Sequence, residues 1–84
     1  MKQLLRITAV KSLTGLSRST LYARIAAREF IKPVSLGARA VGFPSNEVEA
    51  INAARIAGKS NAEIRALVLK LEAARVQAGQ GAQV

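Results

Sequence analysis

Arg18, Ser19 and Tyr22 lie just past the turn-forming run Thr14-Gly15-Leu16-Ser17, and their spacing puts all three on one side of a helix while Leu21 and Ile25 turn to the other. The chemistry open to such a face is hydrogen bonding to an anionic, edge-patterned polymer. A guanidinium grips phosphate, or guanine through two bonds; a serine hydroxyl reaches a nearby phosphate or base edge; a tyrosine donates to phosphate or packs on sugar and a thymine methyl. Tyr22 fits a second role equally, as an anchor between helix surface and core. Thr20 serves the turn or a phosphate. Arg24 lies further round the helix, suited to a flanking phosphate, and Lys11, Lys32 and Arg39 are the remaining candidate backbone contacts. Arg39 follows Gly37-Ala38 at a turn, so it reads either as the tip of a wing or as a solvated arginine.

Charge distribution supports the same partner. The chain has 84 residues and a formal charge of +8. Residues 1–59 hold 10 basic and 3 acidic groups, whereas residues 60–84 hold 3 and 2. The positive field thus belongs to the segment with the candidate reading helix, a nucleic-acid footprint. Five or so phosphate contacts would make binding steeply salt-dependent, at a log–log slope near −0.9 for each phosphate neutralised.

Other chemistries lack their residues. There is no cysteine or histidine, and the five acids are all glutamates scattered among basic residues. Disulfides, the usual zinc and iron sites and a nucleophile–base pair therefore have no material, and no metal or cofactor is expected. Ser17, Ser45 and Ser60 stand at helix starts, where capping explains them. Residues 37–42 match no phosphate-binding loop. No run approaches the ~20 apolar residues of a membrane span, and Arg6 and Lys11 interrupt any export signal. RNA binding finds no interleaved aromatic platform, Tyr22 being the one obvious exposed ring.

The elements that must position these residues follow from periodicity and caps. Leu4, Leu5 and Ile7 read as a short strand or an extended lead-in, with Thr8 capping a short helix over 9–13 whose face carries Val10 and Leu13. Gly15 ends it. Ser17 caps the second helix, 18–28, which buries Leu21, Ile25 and the stem of Arg28. Phe30 packs back, and Lys32-Pro33 stops the helix. Residues 34–36 and 40–43 form a hairpin around 37–39, anchored by Leu36, Val41 and Phe43. Ser45 caps a third helix with Val48, Ile51 and Ile56 as core candidates, ended by Gly58. Ser60 and Glu63 form a capping box, and a fourth helix runs to about residue 77 with the stripe Ile64, Leu67, Val68 and Leu71. That stripe requires a cover: the chain's own core, a second copy, or another protein. It is too short for a convincing coiled coil.

The segments Leu5-Arg6-Ile7, Val10, Thr14 to Tyr22, Phe30-Ile31-Lys32-Pro33-Val34, Leu36-Gly37, Arg39 to Phe43 and Glu47-Val48-Glu49-Ala50 closely resemble the AlpA family of prophage regulatory, excisionase-like proteins, related to MerR-type winged helices. The resemblance covers residues 4–57. The family often carries proline at Ile31 and tryptophan at Phe43 and Ile51; each replacement here is apolar. It implies a small α+β winged helix-turn-helix domain over 1–58, to which this chain adds a helix over 59–78, packing on the domain or mediating self-association, and a flexible tail, 79–84.

The implied function is sequence-specific binding of double-stranded DNA, as a transcriptional regulator in the bacterial cytoplasm at the nucleoid, with no membrane partner. Contact with RNA polymerase or an integrase is part of that implication, as is a homodimer or cooperative oligomer on DNA. The alternatives are an excisionase-like factor that bends DNA architecturally, and a protein-interaction module without specific DNA binding.

Overall fold

A computed structural model describes the backbone of residues 3–38 and 40–82, with side chains through residue 75. The elements are β1 (Leu4–Leu5), α1 (Ile7–Thr14), α2 (Arg18–Ala26), β2 (Val34–Ser35), β3 (Val41–Pro44), α3 (Ser45–Ile56) and α4 (Asn61–Ala82). This is a small α+β fold, with helices flanking an antiparallel sheet of order β1-β3-β2. Leu4 pairs with Pro44, Leu5 with Phe43, Val34 with Gly42 and Ser35 with Val41.

Alternation along β3 sends Phe43 into the core and Gly42 outward. A Cβ on Gly42 would lie 3.0 Å from side-chain atoms of both Leu36 and Leu4. Glycine therefore lets those two leucines converge over the middle strand. Of the hairpin's apolar anchors, Phe43 faces the core and Leu36 is a half-exposed residue on the outer face. The Leu36 N–H donates to the Ala40 carbonyl at 2.8 Å, closing the hairpin.

Helix ends explain most departures from the expected boundaries. The first helix begins at Ile7 and not after Thr8, because Ile7 is needed against the core and the chain leaves the sheet directly through extended Arg6. Leu13 is 54% exposed, so Val10 alone buries from that face. Gly15, at φ 72°, donates to the Lys11 carbonyl at 2.8 Å in a left-handed stop. Ser17 caps α2 as expected, accepting from the Thr20 N–H at 3.2 Å.

The second helix stops at Ala26, two residues early. Arg28 adopts φ 63°, and the N–H groups of Arg28 and Glu29 donate back to the carbonyls of Ile25 and Arg24. This is the paired-bond ending usually built on glycine, here with an arginine in the left-handed position. The Arg28 side chain is exposed and does not line the core.

Ser45 is not the cap of α3. It is the first helical residue, and its hydroxyl accepts from the Gln3 N–H at 2.9 Å while its own N–H donates to the Gln3 carbonyl at 2.7 Å. The serine thus extends the β1–β3 pairing by one step. Ile56 is 87% exposed. Helical rotation carries it off the side defined by Val48 and Ile51, and Ala54 is the next residue of α3 that packs against the core.

The capping box at α4 forms reciprocally: Glu63 N–H to Ser60 Oγ at 3.2 Å and Ser60 N–H to Glu63 Oε1 at 3.0 Å. The helix continues past residue 78 to Ala82. Ile64 and Val68 are fully buried with Val10, Leu21, Phe30, Ile31, Phe43, Val48 and Ile51, while Leu67 and Leu71 pack against that cluster. In this structure the chain's own core covers the stripe, completely at Ile64 and Val68 and in part at Leu67 and Leu71.

Polar ties hold α4 in place. Glu47, only 4% exposed, receives the Arg75 guanidinium through Nε at 3.0 and 2.9 Å and through Nη2. Arg75 Nη2 also donates to the Lys32 carbonyl at 2.8 Å, the Lys32 N–H donates to Glu72 at 3.0 Å, and Arg65 pairs with Glu29 at 3.0 Å. Among the described residues no helix is long and apolar enough to cross a membrane.

Candidate nucleic-acid interface

The short turn after Gly15 and the Ser17 cap fix where α2 leaves the domain. Leu21 is buried and Ile25 packs on the core, so the opposite arc must face outward. At ~100° per residue, Arg18 and Tyr22 lie about 40° apart and Ser19 about 60° beyond Tyr22; Ser19 falls on that arc, whereas Arg18, only about 20° from Ile25 in phase, stands at its edge in the first turn of the helix. All three are exposed, and the Arg18 guanidinium sits 5.8 Å from the Tyr22 ring centroid. That stacking steadies two long side chains next to each other. Tyr22 is 39% exposed and absent from the core cluster, which places its ring on the surface.

The structure separates the other expected contacts. Thr20 is exposed; its N–H donates to Ser17 Oγ at 3.2 Å and its hydroxyl oxygen accepts from the Ser17 hydroxyl at 2.9 Å, so it serves the cap. Arg24 lies on the far flank of α2, in a cleft of about 200 Å³ with Thr14, Glu29, Asn52 and Arg55. It does not join Arg18. Lys32 lines a different cleft with Arg28 and Glu72, and its backbone is held by α4. Lys11 is exposed in the last turn of α1. Arg39 lies outside the described residues.

One residue was missed. Arg6 lines a cleft of about 350 Å³ together with Ile7, Arg18, Tyr22 and Val41. Starting the first helix after Thr8 left Arg6 in an undirected lead-in. The usable signal was Leu4-Leu5 as a strand: pairing it with the hairpin delivers the next residue to the edge of α2.

The electrostatics follow from which cations have acids. Glu29, Glu47 and Glu63 pair with Arg65, Arg75 and Lys59, all of which belong to α4 or the turn before it. Among the described residues Arg6, Lys11, Arg18, Arg24, Arg28, Lys32, Arg55 and Lys70 have no carboxylate within 4 Å. Five of these eight, Arg6 to Arg28, lie on α1, α2 and their junctions, so most of the uncompensated positive charge is there. Glu63 is held below the usual carboxylate range, first by the Ser60 backbone N–H, then by the Ser60 hydroxyl and by Lys59.

Comparison with known proteins places these features. An uncharacterized protein of Enterobacteria phage P4, ORF88, is 47% identical over 58 residues, covering 69% of this chain and 66% of that protein's length. No solved structure matches the chain. The family model described as prophage CP4-57 regulatory protein (AlpA) matches residues 3–56, the span from β1 to the end of α3. Family and helix-turn-helix-like fold together give the chain a regulatory, DNA-binding role in general terms. With the family model matching well over half of its length, the chain belongs to the AlpA family of prophage regulatory proteins.

Proposed function

We propose that this protein binds double-stranded DNA sequence-specifically and acts in the bacterial cytoplasm as a prophage-type transcriptional regulator. The α2 helix enters the major groove, with Arg18, Ser19 and Tyr22 toward the base edges, and the β2–β3 hairpin with Arg39 lies along the flanking backbone. One observation carries this reading: the exposed arc of α2 holds a stacked arginine–tyrosine pair in the part of the molecule where positive charge is uncompensated. A helix of ~10–12 Å diameter fits a major groove ~12 Å wide, where each base pair presents a distinct donor–acceptor pattern. Lys11 and Arg24, on the flanks, and Lys32 suit phosphates and set orientation without reading sequence.

One small domain has few base contacts. Useful specificity therefore calls for copies on repeated or palindromic half-sites about 34–36 Å apart. Ile64 and Val68 are used in the core, so contact between adjacent copies draws on the half-buried Leu67 and Leu71 or on other surfaces. Control of transcription then proceeds through contact with RNA polymerase or its exclusion.

Selection from randomised duplexes at physiological salt tests the reading, with wild type and Arg18→Ala side by side. The expected result is an enriched motif that degrades at one position in the variant. Absence of enrichment by wild type refutes sequence-specific binding. Enriched sites repeated in helical phase, with strong bending in gel assays, would identify an architectural excision factor instead.

A further inference from the structure

The cleft shared by Arg6, Arg18 and Tyr22 joins two elements that differ in how they can meet a duplex. Arg18 and Tyr22 ride on α2. Arg6 does not: it hangs from the junction of β1 and α1, with extended backbone at φ −76° and ψ 160°, and its carbonyl accepts the Val10 N–H at 3.1 Å. Its position is therefore fixed by the sheet on one side and the first helical turn on the other. Its side chain is exposed and has no carboxylate within 4 Å among the described residues.

A helix that fills the major groove leaves only its own leading face at the base edges. Side chains mounted beside it meet the groove walls, which are phosphates. Arg6 stands beside α2 in this sense, across a cleft from Arg18 and Tyr22 and next to Val41 of the hairpin. Its planar fork of donors matches two phosphate oxygens.

We propose that Arg6 is a phosphate ligand: it holds the DNA backbone at the groove wall adjoining the bases that face Arg18 and Tyr22, so the cleft is a seat for one backbone phosphodiester. The inference rests on the DNA-binding reading above and assigns Arg6 a task separate from base reading. A residue on a wall contributes affinity and register equally on every sequence.

The test is duplex binding by fluorescence anisotropy across a salt series, on a selected target and on an unrelated duplex, for wild type, Arg6→Gln and Arg6→Lys. Arg6→Gln is expected to weaken both duplexes by a similar factor and to reduce the magnitude of the log–log salt slope by about 0.9, the value for one released contact. Arg6→Lys keeps the charge and hence most of the slope. A target duplex carrying single methylphosphonate linkages gives a second readout: neutralising one linkage weakens wild type but adds no further loss to Arg6→Gln.

Unchanged affinity and slope in Arg6→Gln, while wild type still binds, overturns the phosphate role and leaves the DNA reading standing. A loss confined to the target duplex makes Arg6 a base reader and also overturns it. If wild type binds no duplex in a salt-dependent way, both inferences fall together. Circular dichroism melting of each variant guards the comparison; a folding loss in Arg6→Gln leaves the methylphosphonate scan on wild type, where the absence of any sensitive linkage overturns the proposal.

Discussion

Arg75→Met isolates the energetic link between α4 and the rest of the domain. Methionine keeps much of the apolar stem and removes the charge. In the native protein both oxygens of Glu47 accept from Arg75, and the two side chains are 5% and 19% exposed. Removing the guanidinium strands a carboxylate beside Leu4, Pro44 and Leu71, at a residue only 4% exposed. Breaking a buried pair from one side costs about 3–5 kcal/mol. The Lys32 carbonyl loses its charged donor as well, about 1 kcal/mol more. An 84-residue chain has a total stability of roughly 4–13 kcal/mol, so the change removes a large part of it. At about 4–8 °C per kcal/mol, Tm should fall by more than ~12 °C. Adding Glu47→Gln removes the stranded charge, so the double variant should be the more stable of the two. Urea unfolding followed by far-ultraviolet circular dichroism measures both. A loss below ~1 kcal/mol in Arg75→Met, or a double variant as unstable as the single, refutes the assignment of a buried, structure-bearing pair.

The remaining predictions concern places where local pattern and fold disagree or where a titration is built in. Ile51→Ala should destabilise by about 2–5 kcal/mol, while Ile56→Ala, at a residue 87% exposed, should stay within ~0.5 kcal/mol in the same urea assay. Arg28→Gly should gain about 0.5–1 kcal/mol, because a left-handed arginine costs ~1–2 kcal/mol and glycine gives back part of that as backbone entropy. Glu63 is depressed by the Ser60 N–H and hydroxyl, so its stabilising contribution is complete above the ordinary glutamate value of 4.5 and is lost as pH falls through its lower folded value. Hydrogen exchange at the first turn of α4 should accelerate over that acid range in wild type and show no such step in Glu63→Gln.

Sequence was most informative where the physics is local. Gly15, Ser17 and the Ser60–Glu63 box act within three or four residues, and each does in the structure what its pattern implied. The exposure of Arg18 and Ser19 was legible because the Ser17 cap puts both in the first turn of α2. What escaped depends on partners far along the chain. Ser45 is diverted from capping by Gln3, 42 residues away, and Glu47 serves Arg75, 28 residues away, more than the helix dipole. Ile56 looked apolar enough for the core but falls on the wrong side of α3. Arg6 escaped because only strand pairing of β1 brings it beside Arg18 in space, whereas helix phase sufficed to place Arg24 on the flank of α2.

The extra helix has a consequence for the DNA face that goes beyond stability. Of its three cations, Arg65 and Arg75 are each spent on an acid of the domain and only Lys70 is without a carboxylate within 4 Å, so α4 adds little free positive charge of its own. At the same time α4 grips both polar groups of one backbone residue: the Lys32 N–H goes to Glu72 and the Lys32 carbonyl to Arg75. Lys32 precedes Pro33, which is restricted in φ and leads directly into β2. The root of the hairpin is therefore pinned from α4, while its far strand, β3, is pinned by β1 through Leu5 and Phe43. The hairpin and α2 are thus held in one frame by contacts lying outside both, and a loss at Arg75 should loosen the wing relative to α2 before it disturbs α2 itself.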